Sequence, residues 1–141
     1  MSRARATFAE IKDEFNCITV DGREHFHSQV DEAKPGTLRL VAGWDTYLMG
    51  YRDRTHFLSA DSKEKIMAGG WIYPSVVLDG RIIGSWRATR DRDQRDRDQI
   101  AVRVAFLTEP TRAMISRARA EARDVGRFFG RPATFEVVPG F

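Results

Sequence analysis

Residues 75–86 read SVVL-DG-RIIGSW. Val76 and Val77 on one side and Ile82 and Ile83 on the other flank the dipeptide Asp79-Gly80. A two-residue Asp-Gly connection tolerates the positive φ of a tight turn, so this stretch predicts a β-hairpin. Downstream lies IAVRVAF (100–106), a strand in which Val102, Val104 and Phe106 share one face and Ala101, Arg103 and Ala105 the other. Next, Ile115, Ala118, Ala122, Val125 and Phe129 recur at alternating spacings of three and four. That spacing predicts a packing stripe on a long helix over about 109–129, with Gly130 as its C-terminal cap. ATFEVV (133–138) alternates and adds a last strand. Upstream, LRLVA (38–42) is a further strand, and WDTYLMGYRDR (44–54) shows no clean period. Asp61 with Glu64 three residues later reads as a capping box for one helical turn.

The first third of the chain has its own pattern. Phe8, Ile11 and Phe15 share one face of a short helix over 3–15. CITV-DG-REHFH then places two strands around Asp21-Gly22. A helix followed by a hairpin is the form of the last helix and wing of a winged helix-turn-helix. SQVDEAKPGT (28–37), with Pro35-Gly36, is the one plausible boundary. The expected organisation is therefore a winged-helix remnant and linker over 1–37 and a second domain over 38–141. The expected class is α+β: a short helix and wing-like hairpin, then a small antiparallel β-barrel-like domain with a long C-terminal helix.

The chain has 141 residues, of which 42% are hydrophobic, enough for a real core. No apolar run approaches the ~18 residues of a membrane helix. The start, MSRARATFAEIKDEF, lacks the apolar region of a secretory signal. Cys17 is the single cysteine, which excludes an internal disulfide and a multi-cysteine zinc cluster. A cytoplasmic setting is expected. The formal charge of +3 is unevenly spread: residues 1–35 are net −2, and residues 87–141 are net +4 with only Arg as the basic type. Arg makes planar bidentate contacts to phosphate that Lys cannot. Residues 90–99 repeat RDRDQ twice, and their four Arg are cancelled by four Asp. This segment reads as an exposed extension too polar to pack.

Residue chemistry excludes several enzyme classes. His25 and His27 share a strand face, but no further His or Cys cluster accompanies them, so no metal site is expected. No phosphate-cradling glycine motif and no GxSxG elbow are present. Asp45, beside Trp44, is the acid expected to be partly buried, with Arg52 or Arg54 as its partner.

LRLVAGWDTYLMGYRDRTHFL (38–58) resembles the pattern LLPxFDxYLLGYRDR of one bacterial family. These are tandem winged-helix proteins with a C-terminal β-barrel, and they include DNA glycosylases that unhook alkylated bases and interstrand crosslinks. GGWIYPSVVLDGRIIGSWR (69–87) is similar to the family's GxxxPTVLVDGRVVGTWR, and ISRARAEARDVGRFFG (115–130) to its C-terminal helix. RARATFAEIKDEFNCITVDGREHF (3–26) is similar to the segment before the barrel, and Trp44 stands where the family has Phe. The family's catalytic Gln-Φ-Gln or Gln-Φ-Asp motif lies in an N-terminal half that this chain lacks. Gln29-Val30-Asp31 has the spacing but follows the wing-like hairpin, so no catalytic role is carried over.

The resemblance implies a DNA-binding module without cofactor or metal. Arg52, Arg54, Arg87 and Arg103 are the first DNA-binding candidates; Arg119, Arg123 and Arg127 on the helix are the second. The implied partners are double-stranded DNA and either an N-terminal domain or a second copy, with no membrane. The alternatives are a fragment or subunit of an active glycosylase, and a protein-interaction barrel with no nucleic-acid role.

Overall fold

The computed structural model describes residues 3–20, 22–28, 34–51, 53–90 and 98–140. Its contacts divide the chain into two units, Met1–Lys34 and Pro35–Phe141. In the first, α1 (Arg3–Ile11) runs through a 3-10 turn into an antiparallel hairpin of β1 (Asn16–Val20) and β2 (Arg23–His27). Phe8 packs against Phe15 and Phe26, with ring centroids 5.9 and 5.0 Å apart. Phe8 and Phe15 of the expected stripe are therefore used, but Ile11 is exposed, α1 buries no residue, and the helix stops at Ile11 rather than 15, so Phe15 lies beyond it.

The second unit is a sheet with a layer on each face. Its elements begin with β3 (Leu38–Val41), α2 (Thr46–Met49), a 3-10 turn at Ala60–Ser62, α3 (Lys63–Ile66), β4 (Met67–Ala68) and β5 (Trp71–Ile72). They continue with β6 (Ser75–Leu78), β7 (Arg81–Arg90), β8 (Ile100–Phe106), α4 (Arg112–Phe128) and β9 (Ala133–Val137). The sheet order is β3-β6-β7-β8-β9, and β4 pairs separately with β5.

The hairpin at 75–86 forms as expected. Asp79 and Gly80 take φ of 47° and 79°, joining Leu78 to Arg81. The Asp79 side chain also accepts hydrogen bonds from Gly36 N and Thr37 N at 2.9 and 2.8 Å, which ties the entry of β3 to this turn. The α+β class holds. The wholly antiparallel barrel-like arrangement is corrected in two respects. β9 pairs with β8 in parallel, because α4 is a crossover that returns the chain in the same direction. The sheet also stays open, since no pairing joins β3 to β9 among the described residues.

Successive residues of a strand point to opposite faces, and both faces are apolar here. Val76 packs with Leu38, Ile100, Val102, Val104, Ala118 and Ala122 under α4. Val77 joins Ile82, Leu48, Phe57, Ile66 and Ile72 on the other side, under the segment between β3 and β6. The expected helix stripe holds at Ala118 and Ala122, but Phe129 is exposed beyond the helix end. α4 begins at Arg112 rather than 109, because the Thr111 hydroxyl accepts from Met114 N at 3.2 Å and caps it. The capping box at Asp61 does not form; Asp61 lies inside the 3-10 turn and caps nothing.

Candidate nucleic-acid interface

The buried face of α4 is made of Ala118, Ala122 and Gly126, one turn apart. At Gly126 a Cβ would stand 2.7 Å from Arg131 O and 2.9 Å from Ala133 Cβ. Only a glycine lets the chain leave α4 and start β9 this close to it. Each of the three small residues is followed by an arginine: Arg119, Arg123 and Arg127. Spaced by four residues, these rise about 6 Å per step along one ridge. The ridge follows the border between α4 and β9. The Arg119 guanidinium lies 5.5 Å from the centroid of the Phe135 ring. Arg123 and Arg127 line a shallow groove with Arg131, Pro132 and Ala133.

The charges on this border are only partly satisfied. Arg127 pairs with Asp124 one turn earlier, and Arg131 with Asp98 at 2.7 Å. Arg123 has no ion pair among the described residues. The opposite border of α4 carries an acid. Glu121 accepts from Arg39 Nη1 at 3.1 Å and from Leu40 N at 3.2 Å, so it closes the outer edge of β3.

Arg87 and Arg103 stand opposite one another in the β7–β8 register, on the sheet face away from α4. Like charges in such a pair are destabilising. Glu136, next in the same row on β9, offsets this by accepting from Arg103 Nε at 3.0 Å. Phe135 and Glu136 are consecutive, so β9 presents one to Arg119 and the other to Arg103. The helix arginines and Arg103 therefore stand on the two sides of one edge strand.

The other expected residues are scattered. Arg54 lies in a separate cleft, with Nε donating to Leu48 O at 3.3 Å. Arg52, Gln29, Asp31 and residues 91–97 of the tandem repeat lie outside the described residues. Asp45 does not pair with Arg54. It caps α2 instead, accepting from Tyr47 N at 2.8 Å. His25 and His27 share a face as expected, and His27 Nδ1 is buried without a hydrogen-bond partner among the described residues. No group of three metal-ligating side chains occurs among the described residues. No helix among them is long and apolar enough to cross a membrane.

Two features escaped the sequence reading. Arg131 extends the helix ridge, and its signal was the turn at Gly130, where φ is 63° and the chain folds back beside the helix. The second is an exposed indole pair, Trp44 and Trp71. Trp44 carried a sequence signal only as a replacement for Phe, and nothing in the sequence placed it beside Trp71.

Residues 1–128 match the family described as DNA glycosylase AlkZ-like. The chain belongs to the AlkZ-like DNA glycosylase family. The expected resemblance is thereby borne out, as is the class of the fold. The structure is similar to that of Streptomyces sahachiroi DNA glycosylase AlkZ, with a TM-score of 0.69 and 27% identity over 98% of this chain and 38% of that one. The sequence is 33% identical over 92 residues to an interstrand DNA cross-link repair glycosylase of the same organism, covering 60% of this chain and 25% of the relative. This member of the AlkZ-like family therefore spans well under half the length of the relatives it matches.

Proposed function

We propose that this chain is a double-stranded DNA-binding module of the AlkZ-like family. Its backbone contacts run along the α4–β9 border. The observation that carries the reading is the ridge of Arg119, Arg123 and Arg127, which Arg131 continues. Arginines at one-turn intervals track a phosphate backbone, and such contacts position DNA without reading its sequence. Arg103 supports the reading from the other side of β9, and Arg87 lies one strand further away. Arg54 falls outside this line, in its separate cleft, and Arg52 stays a candidate on the sequence alone.

The helix and hairpin of residues 1–37 are read as the end of a winged-helix unit, joined to a second domain at 38–141. No catalytic role is assigned to Gln29 or Asp31. An N-terminal domain or a second copy would supply whatever chemistry acts on the bound DNA. Binding to chromosomal DNA sets the location in the cytoplasm.

Titration of fluorescent duplex DNA at several salt concentrations tests the proposal. Affinity is expected to fall steeply with salt, as counterion release requires. Absence of binding even at about 50 mM salt would overturn it.

A further inference from the structure

We infer that DNA meets the α4–β9 border through its major groove: the open edge of β9 faces the base edges, the α4 arginines hold the phosphates of one strand, and Arg103 holds those of the other. This rests on the DNA-binding reading above and adds the groove and the second strand to it.

The two edges of the sheet end differently. β3 is closed by Glu121, which accepts from Leu40 N at 3.2 Å. β9 pairs with β8 alone among the described residues. Its ladder uses Pro132 O and Val138 N, which bond Ile100 N and Val104 O, both at 2.9 Å. The residues that alternate with these turn their N–H and C=O groups away from β8. They are Ala133, Phe135 and Val137. Gly126 of α4 stands against the start of the strand, where its Cβ would meet Ala133 N at 3.0 Å. The open stretch is therefore Phe135 to Val137, and Val137 is 39% exposed there. Folded proteins usually blunt or cover such a row of donors and acceptors, as Glu121 does at β3.

Cations flank this edge on both faces. Phe135 and Glu136 are consecutive and point to opposite faces. Arg119 lies 5.5 Å from the Phe135 ring centroid, and Arg103 Nε donates to Glu136 at 3.0 Å. The strand and the side chains on its two faces separate these cations by roughly 10 Å or more. B-DNA has a major groove about 12 Å wide and a minor groove about 6 Å wide. Cations this far apart reach the backbones on either side of the major groove and overspan the minor one. Between them, the outward N–H and C=O groups of Phe135 and Val137 meet the donors and acceptors of the base edges, and the Val137 methyls suit the thymine methyl. Strands are used in this way by other groove-reading proteins. The charge on both flanks is what selects DNA over an uncharged strand as the occupant of the edge.

The experiment uses the full chain with labelled duplexes of one sequence and reads anisotropy. One duplex carries glucosylated hydroxymethylcytosine, which fills the major groove with uncharged bulk. Another is saturated with netropsin, which fills the minor groove of A·T tracts. Glucosylation is expected to weaken binding by roughly tenfold or more, and netropsin to leave it nearly unchanged. Arg103→Ala should lower the slope of log affinity against log salt by about 0.9, on top of what the α4 arginines contribute. Arg103→Lys should restore the slope, which guards against a loss of fold. Val137→Pro removes an outward N–H and no bond to β8, so it should lower affinity with the slope unchanged. If the plain duplex binds and netropsin displaces the chain while glucosylation has no effect, the groove is wrong and the DNA module stands. If Arg103→Ala leaves the slope as it was, DNA touches the helix side only, and the inference is overturned. If Val137→Pro keeps full duplex affinity and dissociates a dimer of the free chain, the edge joins two copies, and the inference is again overturned. If no duplex binds at all, the DNA-binding reading fails and takes this one with it.

Discussion

Replacing Arg119, Arg123 and Arg127 together by Ala gives the sharpest measure of the α4 ridge. All three side chains lie on the exposed side of the helix, and Ala is the best helix former, so α4 should persist. Each phosphate neutralised on duplex DNA contributes about 0.9 to the slope of log affinity against log salt. If all three contact phosphate, the slope falls by about 2.7. Over a fourfold rise in salt, from about 50 to 200 mM, the wild-type chain should then lose roughly 40-fold more affinity than the variant. Arg127 must first release Asp124, and Arg119 must give up some of its contact with Phe135, so the loss at any one salt is smaller than three free cations would give. The slope counts displaced ions and is less affected by those costs. Fluorescence anisotropy with a labelled duplex across this salt range is the assay. A slope change below about 0.5 would refute the placement of DNA along this border. Asp124→Asn provides the reverse control, since it frees Arg127 and should raise affinity.

Three further outcomes probe the scaffold. Gly126→Ala should improve helix propensity by about 1 kcal/mol, yet its Cβ meets the backbone at Arg131 O and Ala133 N, at 2.7 and 3.0 Å. Strain of about 1–3 kcal/mol outweighs that gain, so urea unfolding should show net destabilisation; a more stable variant would contradict the packing. Asp79→Ala removes the acceptor for two backbone N–H groups and puts Ala at φ 47°, which should cost about 2 kcal/mol. Asp79→Asn should cost less, because Asn tolerates that φ; equal losses would mean the turn does not need it. The Tyr47 hydroxyl, donating to Gly80 O at 2.6 Å, is raised above its ordinary 10.0 by burial and then by Tyr51. A group raised on folding contributes stability below its unfolded value and loses it as pH climbs through the folded one. The advantage of the wild type over Tyr47→Phe should therefore be full at neutral pH and shrink above about pH 10, as read by urea midpoints. A constant difference across that range would show that the hydroxyl does not ionise there.

Local signals carried most of the elements. Asp79-Gly80 marked its hairpin because a two-residue turn depends on its own two residues. The spacing of Ala118 and Ala122 marked α4 because a helix face repeats within the chain. The parallel pairing of β9 was not legible, since it depends on where α4 docks and thus on Gly126. The division of Val76 and Val77 between two cores was hidden too, because a strand apolar on both faces loses its alternation. The site was less legible than the fold. Seven arginines were named without knowledge of which share a surface, and the structure gathers Arg119, Arg123 and Arg127 while sending Arg54 elsewhere. Asp45 looked like half of an ion pair because its use as a cap is set by the backbone of α2. Arg131 joins the ridge through a chain reversal that no periodicity reports.

Because β6 lends Val76 to one core and Val77 to the other, the two layers share a wall. Neither layer can melt alone without stripping packing from the strand that holds the other. Unfolding should then be a single cooperative event across this unit, with α4 and the β4–β5 hairpin lost at the same denaturant concentration. A protein built this way has no half-folded form that keeps its arginine ridge while shedding its tryptophan pair. Whatever destabilises the layer that carries one withdraws the other with it.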